Sequence, residues 1–166
     1  KNIIDEYVYV EDHEDDVLNF FEIPKSFKLD DGYKYSISEL TGIYLSDADF
    51  LVHFSSDSIL IKNSNWIEKS IQIIKENDKI KSTSPVEERS RQKSLKKSDE
   101  AAKLTQIFSD QCYLIPINFF KNKIYNESNK NTKIYPDYGG ELFEKRICAY
   151  YYNYQYYRIV LTVSLY

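Results

Sequence analysis

Apolar residues recur along the chain in two kinds of block. Short β-branched and aromatic runs read as strands: EYVYVE at residues 6–11, FLVHF at Phe50 to Phe54, KIKSTSP at 79–85, a run near 111–115, and the closing YRIVLTVSLY. Other stretches carry apolar positions three or four apart and predict helices. DDVLNFF predicts a short helix capped by Asp15 or Asp16. Residues 33–46 place Tyr33, Ile37, Leu40, Ile43 and Tyr44 at helical spacing, with Gly42 tolerated inside. Residues 63–78 give the clearest helix, with Ser64 or Asn65 as cap and Trp66, Ile67, Ile71 and Ile74 as an apolar stripe. YPDYGGELFEKRICAYYYNY predicts a turn followed by a helix. The polar stretch 86–103 has few apolar anchors and predicts a mobile loop.

Strands alternating with helices predict an α/β fold: a Rossmann-like three-layer sandwich around a mostly parallel mixed sheet. The 166 residues fit one domain spanning 1–166. Ligands of such sheets sit beyond the carboxyl ends of the strands. Asp57 follows the predicted strand Phe50 to Phe54, and the acids of EDHEDD follow the first predicted strand.

Composition narrows the possibilities. A net charge of −4 gives no reason to expect a nucleic-acid partner. The basic stretch RSRQKSLKK at 89–97 suits a solvated surface, and a peripheral contact with anionic headgroups is compatible with it. No apolar run reaches the length of a membrane span, and no leader peptide is visible. Cys112 and Cys148 are far apart and share no metal-type spacing with His13 or His53, which fits a reducing, cytoplasmic setting and argues against zinc. Neither a P-loop nor a GxGxxG is present. The start at Lys1 and the absence of Met suggest a piece excised from a longer protein.

The stretch DADFLVHFSSDSIL, residues 47–60, holds the first candidate chemistry. An apolar run ends in Ser55-Ser56-Asp57-Ser58, a turn offering hydroxyls and one carboxylate. Hard divalent cations take few oxygen ligands from protein and the rest from phosphate and water. A polar turn with Asp57 bonded to backbone amides explains the same residues without chemistry. The second candidate is YPDYGGELFEKR. Gly139-Gly140 permits close backbone approach, and Glu141 and Glu144 share one helix face at i, i+3. Either carboxylate could serve as a proton acceptor, or simply complement the helix dipole.

The order strand, acidic loop, helix, SDADFLVHFSSDS and then NSNWIEKSIQII resembles bacterial nucleotide-sugar glycosyltransferases of the GT-A fold. Ser46-Asp47-Ala48-Asp49-Phe50 matches the family's lead-in. Ser55-Ser56-Asp57 takes the place of its metal-binding DXD motif, with serine for the first acid. The resemblance implies that Asp57 binds Mn²⁺ or Mg²⁺ and, with Ser55, the donor diphosphate. It implies that Glu11 and Asp12 contact the nucleotide, that an acid at the start of the late helix is the base, with Glu141 expected ahead of Glu144 because it follows the glycines directly, and that Asp110 in FSDQ lies on the acceptor side. The implied activity is transfer of a sugar from a nucleotide-sugar to a hydroxyl of a glycan or similar acceptor, as in polysaccharide biosynthesis. The family also begins with a strand that would precede Lys1. Two alternatives share the scaffold: a non-catalytic carbohydrate- or partner-binding domain whose 16 tyrosines supply stacking surface, and a nucleotidyltransferase.

Overall fold

The computed structural model describes residues 6–24, 31–56, 58, 65–85, 102–135 and 143–161, with the backbone alone for 31–35. Five strands form one sheet: β1 Phe50–Phe54, β2 Ile80–Pro85, β3 Ala102–Thr105, β4 Cys112–Pro116 and β5 Tyr157–Leu161. The helices are α1 Glu14–Phe20, α2 Asp31–Leu45, α3 Trp66–Glu76, the single turn α4 Ile117–Phe120, and α5 Phe143–Tyr154. Short 3-10 turns lie at Val10–Asp12 and Lys130–Ile134.

The strand order is β1-β4-β2-β5-β3. Only β2 with β5 is a parallel pair; β1 with β4, β4 with β2, and β3 with β5 are antiparallel. The expected mostly parallel sheet is therefore corrected to a mixed sheet with mostly antiparallel pairing. The reason lies in the placement of β4. β1 reaches β2 through α3 and shares its direction, and β2 pairs in parallel with β5. No helix separates β3 from β4, and both run the other way. Because β4 lies between β1 and β2, it turns two would-be parallel neighbours into two antiparallel pairs.

Side chains alternate across the sheet. Tyr113 and Ile115 of β4 face a core shared with α1, α2 and α5, including Val17, Leu18, Ile37, Leu40, Phe143, Ile147 and Tyr151. Leu114 between them faces α3, with Trp66, Ile74, Ile80 and Leu161. Helices thus cover both faces. The larger core is aromatic: Phe108 contacts Tyr113, Phe120, Phe143 and Tyr151, mostly in tilted or edge geometry.

Other expectations need correction. Residues 6–9 form no strand, and Val10–Asp12 is a 3-10 turn; Val10 packs on the core, but Tyr7 and Tyr9 stay exposed, so an isolated β-rich segment finds no strand to pair with. His13, not an aspartate, holds the cap position of α1, and Asp15 and Asp16 sit in its first turn, where they complement the dipole. The strand Phe50 to Phe54 is present but half-exposed rather than buried, because β1 lies at the end of the strand order and leaves Val52 and Phe54 open. Residues 102 and 103 belong to β3, while 86–101 of the expected loop lie outside the described residues.

Candidate functional site

Three strands end together at one rim of the sheet, and β4 begins there. Beyond β1 the chain leaves the ladder at Ser55, whose N–H still donates to the Gln111 carbonyl at 2.8 Å. Ser55 Oγ lies 2.7 Å from Ser58 Oγ and donates to Gln111 Oε1 at 3.3 Å. Ser58 Oγ donates to the Gln111 carbonyl at 2.9 Å. Ser55 and Ser58 are thereby stitched to the segment that enters β4. Gln111 then reaches the next residue, its Nε2 donating to Asp110 Oδ1 at 3.3 Å.

Asp110 in turn meets Glu144, in the first turn of α5. The Glu144 carboxylate accepts from the Asp110 backbone N–H and also shares a hydrogen bond with its carboxyl. Burial, and after it the charge of Asp110, push Glu144 up to about 7, against the backbone hydrogen bond and the Arg158 guanidinium, which favour the ionised form. A carboxyl poised near neutrality exchanges a proton readily at physiological pH.

Two contacts fix where Glu144 stands. Ser36 Oγ on α2 accepts from the Phe143 N–H at 2.7 Å, satisfying a donor at the open end of α5. The segment carrying Asp110 is held by Tyr135, whose hydroxyl accepts from the Phe108 N–H at 3.0 Å and donates to the Phe108 carbonyl at 2.7 Å.

Other ionisable groups surround Asp110. Glu39, one turn after Ser36, is raised chiefly by burial, with the charge of Asp110 adding to it. His53 is lowered by burial despite a hydrogen bond to the Asp110 backbone. Its ring stacks on Tyr113 at 4.7 Å and 12°, and its Nε2 is buried without a hydrogen-bond partner among the described residues, as is the Tyr113 hydroxyl.

Of the residues singled out from sequence, the structure joins Ser55, Asp110 and Glu144 through Gln111. Asp57 and Glu141 lie outside the described residues. Glu11 and Asp12 are exposed on the 3-10 turn beside α1 and α2, and no hydrogen bond described here links them to the rim. Glu144 bonds to Asp110, while Arg146, two residues on in α5, donates to the Glu127 carbonyl at 3.1 Å. Sequence reasoning missed Gln111, Glu39, His53 and Arg158 as members, whereas Ser58 was among the hydroxyls of the candidate turn. Arg158 did carry a signal: a cation within an otherwise apolar strand, 8% exposed in the fold. Glu39, between the core residues Ile37 and Leu40, carried a similar one.

Ser55 and Ser58 offer neutral oxygens, the donor type that suits a hard cation only as a supplement to carboxylate. Among the described residues no group of three or more His, Cys, Asp or Glu side chains is placed to hold a metal ion. No helix of the described residues is long and apolar enough to cross a membrane. Comparison with protein-family models, curated proteins and solved structures gave no match.

Proposed function

We propose that this chain is a GT-A-type glycosyltransferase domain that moves a sugar from a nucleotide-sugar to a hydroxyl of a glycan or similar acceptor. One observation carries the reading. The SSDS turn that the resemblance assigns to the donor diphosphate and the acids assigned to the acceptor side are linked by hydrogen bonds through Gln111 at one rim. Sugar transfer requires these two functions side by side. The diphosphate must be stabilised as it leaves, and the attacking hydroxyl must lose its proton.

In this reading Glu144, in preference to Glu141, takes the proton, because its carboxyl titrates near neutrality. Asp110 holds Glu144 in place and sets its affinity for the proton. Ser55 hydrogen-bonds donor oxygens. Asp57, with the donor's own phosphate oxygens, would hold Mn²⁺ or Mg²⁺, which when bound offsets the charge on the leaving diphosphate. Glu11 and Asp12 remain proposed nucleotide contacts, and cytoplasmic action at a polysaccharide or other glycan completes the reading.

Incubation with a panel of UDP-, GDP- and TDP-sugars, with and without Mn²⁺, tests it. Release of free nucleoside diphosphate together with a glycosylated acceptor is the expected result. Pyrophosphate release would replace the proposal with nucleotidyl transfer. Neither product, with nucleotide-sugar binding retained by calorimetry, would mark a non-catalytic binding domain.

A further inference from the structure

The pairing of β1 with β4 sets His53 directly opposite Tyr113. Side chains of such a pair stand on the same face of the sheet. The imidazole stacks on the Tyr113 ring, which is fully buried and gives it a fixed floor.

The same imidazole holds the chain at Asp110. Its bond to the Asp110 backbone favours the protonated ring, so a ring N–H donates and the Asp110 carbonyl accepts. Nε2 has no hydrogen-bond partner among the described residues, which leaves Nδ1 as the donor. Burial lowers His53 from its ordinary value, so the ring is neutral at physiological pH and brings no charge to the rim. On the other side of the same Cα, the Asp110 N–H donates to the Glu144 carboxylate. His53 and Glu144 thus grip the two peptide groups that flank one residue. Releasing the carbonyl lets the backbone at Asp110 rotate, and the N–H turns with it.

We infer that His53 is a positioning residue for Glu144: by holding the Asp110 carbonyl it keeps the Asp110 N–H on the Glu144 carboxylate. The inference rests on the sugar-transfer reading only in calling Glu144 the base. Among the described residues, the titratable and charged groups facing Glu144 are Asp110, Arg158 of β5, Tyr135, and Cys148 of α5 itself. Those facing His53 are Asp110 and Tyr113, with Glu39 of α2 acting on the latter. Replacing a neutral imidazole leaves the charges of Asp110 and Arg158 in place, so a change at Glu144 reports the backbone contact.

His53→Phe keeps a ring on Tyr113 and removes the N–H. Carboxyl NMR should then show the Glu144 midpoint rising from about 7 by about half a pH unit or more, because a donor to the ionised form is weakened. Any transfer rate that needs ionised Glu144 should reach its plateau at correspondingly higher pH. His53→Asn offers an amide N–H near the place of Nδ1 and should return the midpoint toward the parent's. Nitrogen NMR of the parent's labelled imidazole gives a readout that needs no variant, with the proton expected on Nδ1. An unchanged or lowered midpoint in the Phe variant, no return in the Asn variant, or a proton on Nε2 in the parent would each overturn the inference. Absence of transfer by the parent, with the Glu144 shift in the Phe variant intact, would sink the sugar-transfer reading and uphold the role of His53.

Discussion

Asp110 meets Glu144 twice, its backbone N–H donating to the Glu144 carboxylate while its own carboxyl shares a hydrogen bond with the same group. The two contacts act in opposite directions. The N–H favours the ionised form of Glu144, and the neighbouring carboxylate charge disfavours it. Burial, the larger influence, tips the balance toward the protonated form.

Replacing Asp110 by Asn removes the charge and leaves the backbone donor. Glu144 should then titrate below 7, and any transfer rate that depends on its ionised form should reach its plateau at lower pH. Carboxyl NMR of Glu144 across pH 4 to 9 measures this directly. An unchanged midpoint would mean that Asp110 does not set the proton affinity of its neighbour.

Glu144 also ties stability to pH. Its folded value lies above the ordinary 4.5, so the folded chain binds the proton more tightly than the unfolded chain. The contribution of Glu144 to stability is therefore fully present below 4.5 and is lost as pH rises through about 7. Glu144→Gln cannot ionise. It should abolish the proposed transfer, yet at pH 8 unfold with about 1–3 kcal/mol more stability than the parent, an advantage that vanishes near pH 4. Denaturant unfolding at both pH values supplies the comparison, and an equal gap at each would count against a strained carboxyl.

Asp57→Ala tests the donor side. Losing a stabiliser of a phosphate leaving group commonly costs on the order of 10²–10³ in rate, and a loss of that size is expected with little change in folding. Near-normal turnover would remove Asp57 from the mechanism.

Tyr135→Phe probes the support beneath the site. It deletes one hydroxyl that serves both backbone groups of Phe108, a residue 1% exposed. Two buried polar groups lose their partner, at about 1–3 kcal/mol each before relaxation. A destabilisation of about 2–4 kcal/mol is expected in urea unfolding, with the amide signals of Ser109 and Asp110 broadened. A loss below 0.5 kcal/mol would show that water or a neighbour replaces the hydroxyl.

Much of the framework was legible because periodicity reports burial. Ile37, Leu40 and Ile43 on α2, and Trp66 and Ile74 on α3, are core residues at the spacing that predicted their helices. The alternation of strands and helices conveyed an α/β fold, but the largely parallel sheet it suggested holds only for β2 with β5. Pairing was not legible, since no local pattern says that β4 slips between β1 and β2. EYVYVE misled for a related reason: strand propensity is realised only when a partner strand is at hand. At the site, Asp110 stood out through the resemblance of its segment and Glu144 through its place on a predicted helix face, but their meeting did not. They lie 34 positions apart in sequence, and only the packing of α5 against the segment before β4 joins them. Gln111, the link to Ser55, is a neutral side chain with nothing in its own sequence context to mark it.

The stretch from Gln106 to Gln111 is pinned along its length. Gln106 Nε2 donates to the Tyr151 carbonyl at 2.8 Å, Phe108 is clasped by Tyr135, and Gln111 is bonded to Ser55 and Ser58. Conformational freedom at these residues is therefore surrendered when the chain folds. A molecule arriving at the rim meets donors and acceptors already in position, and the entropic cost of arranging them does not subtract from its affinity.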